Sequence, residues 1–444
     1  MPVLYTALSV IASLAVLPFL PAALLLARGP RRAKLLQRLG LSLPGPINPD
    51  RQWPVIWIHA LSLGEVTSAL PLVRGLRNHY PDGYIVFSTT TTAGHAAARR
   101  MAGGLADQIL YGPVDLFFTV RRFITLLSPD LFIQVETDFW PEWLRQLRTN
   151  NIPTLLVNGR FSRQSMRAYH RLARLFLPMF ACFSLLAVQT REDGRQLARL
   201  GLPPEKILSL GNLKFDAGIQ EPDSRAQQGL VRADLARDGQ VRLLVCGSTH
   251  PGEEEIILSA LGGILRHLPK LRLIIAPRSI ERGPEIQSLA RQAGFTARLR
   301  STTGPQEAEV LVLDTLGELA QVYRLAELAF IGGSLVAAGG HNPIEAAAAA
   351  IPVLFGPHME DFSEISHGLI LAGGARQVRN ADELASRIKN LLDDPAARKK
   401  MGRAAAAFVR QGQGVVSRHI KVIDHLLEQA SRGKQTRSPL SRRS

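Results

Sequence analysis

Three clusters in the first half of the chain carry side chains able to move a proton or hold a charge. His59-Ala60-Leu61-Ser62-Leu63-Gly64-Glu65 closes one apolar run and opens a helical stretch. Gly64 permits a tight turn, and Glu65 falls in the first helical turn, where the helix N-terminus favours an ionised carboxylate. Such a group can serve as a general base toward a hydroxyl, or it can do no more than cap the helix. Glu136-Thr137-Asp138-Phe139-Trp140-Pro141 follows a second apolar run, with Pro141 suited to the first position of a helix. In an extended segment Glu136 and Asp138 point the same way. Glu136 is then either a solvated loop acid or a group that orients a polar substrate and stabilises an oxocarbenium-like transition state. Gly211-Asn212-Leu213-Lys214-Phe215-Asp216 and Asn158-Gly159-Arg160 each bring a cation to the end of a run. Lys214 and Arg160 can face a carboxylate or a phosphate there.

The second half is different in kind. Gly247-Ser248-Thr249-His250-Pro251-Gly252, Ala276-Pro277-Arg278, Asp314-Thr315-Leu316-Gly317-Glu318, Gly332-Gly333-Ser334 and Gly339-Gly340-His341-Asn342-Pro343-Ile344-Glu345 all sit at the ends of apolar runs. Glycines let backbone N–H groups approach a phosphate, and a helix N-terminus adds a favourable dipole. Arg278 can pair with phosphate, and Glu345 can accept hydrogen bonds from ribose hydroxyls. Each feature alone is ordinary turn chemistry, but their recurrence points to a nucleotide site. His250 and His341 read as turn or capping residues. There is no GxxxxGK[ST], no GxGxxG, no GxSxG and no HExxH, so motor, kinase, dehydrogenase, hydrolase and zinc-protease readings lose their support. No metal site is expected, because the Glu136–Asp138 pair has no third ligand. Cys182 and Cys246 stand far apart and imply neither a disulfide scaffold nor a zinc site.

These clusters need elements to hold them. Val55–Ala60, Tyr84–Thr89, Leu131–Glu136, Thr154–Asn158 and Leu185–Gln189 read as buried strands, alternating with helical stretches such as Val66–Asn78 and Trp140–Thr149. The pattern resumes with Arg242–Gly247, Leu271–Pro277, Val310–Asp314, Ala329–Gly333 and Pro352–Phe355. Repeated β-α units mean parallel, doubly wound sheets. The expected fold is therefore α/β, with two Rossmann-like domains facing a cleft, the GT-B glycosyltransferase layout, and ligands beyond the carboxyl ends of the strands. The expected boundaries are 31–216 and 241–430, a polar linker 217–240 and a basic, disordered tail 431–444.

The chain of 444 residues carries a net charge of +16, which favours anionic partners. Val3–Ala27 is uncharged and long enough to span a bilayer, and Arg28, Arg31, Arg32, Lys34 and Arg38 follow it. Residues 1–30 are thus expected to be a single membrane anchor with everything beyond it cytoplasmic, and Arg28 to Arg38 to touch an anionic membrane surface. Nucleic acid is not an expected partner, since no aromatic-basic interleaving accompanies the charge.

The ordered series HALSLGE, STTTTAG, YGPVDL, ETDFWP, NGRFSRQS, GNLKFD, GSTHPGEEE, DTLGEL and GGHNPIEA resembles the Kdo transferases (3-deoxy-D-manno-octulosonic acid transferases) along nearly the whole chain. Two departures are small: that family more usually has ETELWP, and APRH where Ser279 follows Arg278 here. The resemblance implies a GT-B enzyme of the inner membrane. It would move Kdo from CMP-Kdo to a lipid A precursor, lipid IVA, with inversion and without a metal or other cofactor, in lipopolysaccharide core biosynthesis. It implies that Glu65 is the general base and that Glu136 and Lys214 are charged stabilisers of the transition state. It also implies that Pro277, Arg278, Leu316, Gly317, Glu318, Asn342, Pro343, Ile344 and Glu345 hold CMP. Another membrane-associated GT-B glycosyltransferase, or a sugar-nucleotide epimerase, would share the fold and the nucleotide site.

Overall fold

The computed structural model describes residues 25–43, 53–136, 138–217, 241–265, 268, 270–302 and 308–435, with short pieces before residue 25. The chain divides into two compact units, residues 1–217 with 414–444, and residues 218–413.

The first unit is built on a seven-stranded parallel sheet. Its strands are β1 (Val55–Ala60), β2 (Tyr84–Thr89), β3 (Gln108–Tyr111), β4 (Leu131–Val135), β5 (Thr154–Gly159), β6 (Leu185–Val188) and β7 (Ile207–Ser209). They lie in the order β3-β2-β1-β4-β5-β6-β7. The order reverses between β1 and β4, so loops leaving their carboxyl ends diverge there and open a crevice. Every residue of β1, β4 and β5 is buried, as strands covered by helices on both faces require. On one face Trp57 stacks on Trp143 at 5.3 Å and meets Phe132 edge-on at 4.9 Å. On the other, Ile56, Ile58 and Ile133 pack with Val66 and Leu72 of the helix Leu63–His79, and with Ile423 and Leu427.

Ile423 and Leu427 belong to the long C-terminal helix Val415–Gln435, which the sequence expectation had assigned to the second domain as far as residue 430. Its place is set by Asp216, whose two carboxylate oxygens accept the backbone N–H of Gly414 at 2.9 Å and of Val416 at 2.7 Å. Arg418 Nε donates to the Leu210 carbonyl at 2.9 Å. The helix also crosses the Leu63–His79 helix closely: a Cβ added at Gly75 would stand 2.4 Å from Val416 Cγ1. We expect Gly75→Val to force the two helices apart and lower stability by about 1–3 kcal/mol. Urea unfolding of the full chain measures this, and an unchanged midpoint would mean that the crossing does not depend on Gly75. The same helix runs to Gln435 and so takes in residues 431–435 of the expected tail; residues 436–444 lie outside the described residues.

The second unit repeats the plan. Its strands are β8 (Arg242–Thr249), β9 (Leu271–Pro277), β10 (Ala297–Leu299), β11 (Val310–Val312), β12 (Leu328–Ile331), β13 (Val353–Phe355) and β14 (Ala375–Gln377). They are parallel in the order β10-β11-β9-β8-β12-β13-β14, with the reversal between β8 and β12. The helix Glu253–Leu265 covers one face through Ile257, Leu261 and Ile264. Most of the expected anchor, and the expected linker apart from Ala217, lie outside the described residues. Among the described residues no helix is long and apolar enough to cross a membrane.

Candidate active site

The loop after β1 is tied to the loop after β2, because the Leu61 carbonyl accepts the N–H of Thr90 and of Thr91 at 3.3 and 3.1 Å. This fixes the entry to the helix Leu63–His79. Glu65 in its first turn reaches back, and its Oε2 accepts the Leu61 N–H at 2.6 Å. The N-terminus was expected to hold Glu65 ionised, but its carboxyl is instead pushed up to about 8. Burial is the main cause; the negative charges of Glu136 and Asp138 add to it, and the Leu61 N–H offsets only part.

Those two acids arrive from β4, on the other side of the strand-order reversal. Glu136 does not continue the strand: it turns left-handed with φ 58°, held by its own N–H to the Val157 carbonyl at 2.9 Å. Asn158, near the end of the neighbouring β5, is left-handed too, with φ 57°. Two adjacent non-glycine residues in this region carry a conformational cost that only surrounding contacts maintain. The extended arrangement expected for Glu136 and Asp138 is thus not the one formed. Asp138 is held separately, accepting from Trp140 Nε1 at 2.7 Å, and burial raises its pKa. It stands 3.9 Å from His59 Nε2. That contact is not an ion pair at neutral pH, because burial and the charge of Arg38 push His59 down to about 3. The His59 Nδ1 instead meets Ser88 Oγ at 2.8 Å, and Ser88 Oγ accepts from Trp57 Nε1 at 2.8 Å.

Asn158 joins Glu136 to the loop that carries Lys214, a role not itself anticipated. Its Nδ2 donates to Glu136 Oε1 at 3.2 Å, and its Oδ1 accepts the Leu213 N–H at 3.0 Å. Asn212 adds a second tie, donating from Nδ2 to Gln189 Oε1 at 3.1 Å and accepting the Lys214 N–H at 3.0 Å. One fully buried amide therefore sets both the Glu136 carboxylate and the loop that presents Lys214. Arg160 sits exposed just beyond β5. We expect Asn158→Ala to lower kcat about 100-fold by loosening Glu136 and Lys214 together, with little change in nucleotide affinity. A parallel loss of nucleotide binding would contradict a role confined to the first unit.

In the second unit Pro277 ends β9, and the Arg278 N–H donates to the Thr249 carbonyl at 3.0 Å, leaving an exposed side chain. Leu316 is 80% exposed beside left-handed Gly317. Glu318 accepts from Arg300 Nη2 at 3.2 Å and from the Thr315 hydroxyl. Asn342 Oδ1 accepts the Ile344 N–H at 3.1 Å, Pro343 precedes the helix Ile344–Ala348, and burial raises the pKa of Glu345.

One expectation is overturned. The Gly332-Gly333-Ser334 turn does not offer its N–H groups to a ligand. Buried Glu253 takes those of Gly333 at 2.6 Å, Ser334 at 2.9 Å and Leu335 at 2.8 Å, together with that of His250 at 3.0 Å. The loop is an anion nest already filled from within. Among the described residues no group of three His, Cys, Asp or Glu side chains is placed to hold a metal ion.

Two seven-stranded parallel Rossmann-type sheets, each with a strand-order reversal and the first with acids gathered there, are the architecture of the GT-B class. A UDP-GlcNAc 2-epimerase from Neisseria meningitidis shares the fold with TM-score 0.58 at 14% identity, covering 84% of this chain and 99% of that one. Residues 33–217 match the family described as 3-Deoxy-D-manno-octulosonic-acid transferase (kdotransferase). The 3-deoxy-D-manno-octulosonic acid transferase of Haemophilus influenzae is 35% identical over 430 residues, 96% of this chain and 98% of that protein. The transferase of the same name from Bordetella pertussis is 32% identical over 402 residues, 88% and 90% of the two chains. The chain belongs to the Kdo transferase family and is a glycosyltransferase.

Proposed function

We propose that the enzyme moves Kdo from CMP-Kdo to a sugar hydroxyl of a lipid A precursor, lipid IVA, in a single inverting displacement. The observation that carries this reading is the state of Glu65: a buried carboxyl pushed up to about 8 by burial and by two neighbouring acids. A base with its pKa near the working pH accepts a hydroxyl proton efficiently. Glu136, and Lys214 on the loop whose Leu213 N–H shares the Asn158 amide with it, supply fixed charges for the cationic sugar and its carboxylate. In the second unit Arg278 meets the phosphate. Leu316 offers an exposed apolar surface to the flat base, and Gly317 and Glu318 flank it. Asn342, Pro343, Ile344 and Glu345 complete the nucleotide contacts, with Glu345 toward the ribose. No metal is required in this reading, since fixed dipoles and Arg278 meet the charge of a departing monophosphate.

The acceptor is a lipid, and the reading places the enzyme at the cytoplasmic face of the inner membrane, held by residues 1–30. Two surfaces support contact with anionic lipid. Exposed Leu25 and Leu26 adjoin exposed Arg28, Arg31 and Arg32. The helices Arg163–Arg171 and Ala173–Phe180 expose Arg167, His170, Arg171 and Arg174 beside Leu172 and Leu175. No Asp or Glu occurs between Glu142 and Glu192. Apolar side chains set among unopposed cations suit a headgroup surface.

The test is to incubate purified enzyme with CMP-Kdo and a tetraacylated lipid A precursor, with and without EDTA, and to weigh the lipid. A gain of one or more Kdo masses, unaffected by EDTA, supports donor, acceptor and metal independence together. A gain abolished by EDTA overturns the metal-free step alone. No gain from enzyme that binds CMP redirects the search to other acceptors, and no gain without CMP binding overturns the donor.

A further inference from the structure

His250 and His341 meet at the strand-order reversal of the second sheet. His250 follows β8 directly, and His341 lies on the loop after β12. Their Nε2 atoms are 2.8 Å apart and their rings are nearly parallel, 17° between planes. Gly333 forms the wall beside them: at φ 67°, an added Cβ would stand 3.1 Å from His341 Cδ2 and 3.4 Å from His250 Cδ2. An Nε2–H···Nε2 bond needs one proton between the rings. One imidazole is therefore the donor tautomer, with a bare Nδ1, and the other carries its proton on Nδ1. Among the described residues neither ring makes another hydrogen bond, so both Nδ1 atoms are available to a ligand.

We propose that this histidine pair is a proton-accepting anion site for the phosphodiester of the nucleotide donor, acting beside Arg278. The inference rests on the donor reading above. In the empty protein the pair presents one N–H and one lone pair. A proton taken at the bare Nδ1 leaves the inner bond intact and makes the pair cationic, with an N–H at each outer corner. A second added proton would break the inner bond, so the pair holds one charge and no more.

The surroundings favour the neutral form until an anion arrives. Burial pushes His341 down to about 4, and His250 and Arg278 add to that. The other ionisable groups on the elements that carry the pair are committed elsewhere. Glu253 accepts backbone N–H groups, Asp361 lies beside Gly339, His358 faces Glu360 at 3.4 Å, and Glu345 is itself buried enough to have a raised pKa. Among the described residues no carboxylate is hydrogen-bonded to either ring to hold a resident proton. The bound phosphodiester is then the charge that draws one in.

The proton has a use in the reaction. When the bond between the anomeric carbon of Kdo and the phosphate oxygen breaks, its electron pair stays on the phosphate, which gains a second negative charge. An outer Nδ1 proton passes to that oxygen and the pair returns to neutral, while the acceptor hydroxyl gives its proton to Glu65.

The probe is the methyl ester of CMP, a phosphodiester that cannot itself titrate. Calorimetry of its binding to the full-length enzyme, in buffers of different ionisation enthalpy near pH 6, reports proton exchange. We expect uptake of about one proton per diester bound. In His250→Gln and in His341→Gln the uptake is lost and affinity falls about tenfold. Binding by the wild type without uptake, or uptake unchanged in both variants, overturns the inference while leaving the donor site standing. Failure of the wild type to bind either the diester or CMP overturns the donor reading, and the inference with it. Nitrogen NMR of the wild-type histidine rings needs no variant: both outer nitrogens should be protonated in the complex, and a bare one remaining there counts against the pair.

Discussion

Glu65→Gln is expected to lower turnover by about 10²–10⁴-fold, the range a positioned general base supplies, with CMP affinity nearly unchanged. The raised pKa makes two further results follow. In the wild type the base must be ionised to work, so the limb of the pH–rate profile that belongs to Glu65 should climb with pH toward its pKa of about 8 and be missing from the variant. Stability should run the other way. Below pH 4.5, the ordinary value, the carboxyl is protonated in both folded and unfolded chains and has no effect. Between that value and about 8 the unfolded chain ionises and the folded one resists, so the folded state loses stability as pH rises. Gln carries no such penalty. The variant should therefore melt a few degrees higher than wild type at pH 8.5 and at the same temperature near pH 4. Retained turnover would refute the base assignment, and a lower melting temperature at pH 8.5 would refute the argument from burial.

Glu253→Ala should produce the largest loss of stability. The carboxylate is fully buried and accepts four backbone N–H groups. Its removal orphans all four, those of Gly333 and Ser334 in buried surroundings. Breaking a buried charged arrangement of this kind costs about 3–5 kcal/mol. Gln is a weaker remedy than it looks, since one of its two acceptor positions becomes an NH₂ pointed at other donors. Calorimetric melting should show the second unit unfolding earlier while the first keeps its transition. A melting profile identical to wild type would mean that the turn holds its shape without Glu253.

Much of this molecule is legible in its residues, and the failures have physical causes. All ten interior strands can be read from apolar runs, often to within a residue or two of their ends. The four that cannot, β3, β7, β10 and β14, are the outermost strands of the two sheets. Edge strands are short and covered on fewer sides, so they need no long apolar run: β7 is Ile-Leu-Ser and β14 is Ala-Arg-Gln. In the site, Glu65, Glu136 and Lys214 stand out by charge at strand ends. Asn158 does not, because its importance lies in a left-handed backbone and two amide contacts to distant loops. Its one local signal is Asn followed by Gly at the close of an apolar run, a pair that favours left-handed geometry. Glu253 reads as one of three acids at a helix start. Only the fold brings it under the Gly333–Leu335 turn and so reverses the meaning of those glycines. His250 and His341 are far apart in the chain, and spacing gives no hint of their contact.

The return of Val415–Gln435 to the first sheet makes the second unit an insertion within the first. Synthesis runs from the N-terminus, so the whole of the second unit leaves the ribosome before the final helix of the first does. The first unit begins earlier and finishes last. Until its final helix is released, the sheet face formed by Ile56, Ile58 and Ile133 lacks the cover of Ile423 and Leu427. A chain cut before Val415 would thus keep every strand of both sheets and leave one face of the first sheet bare. That bare apolar face would mark the chain for chaperones.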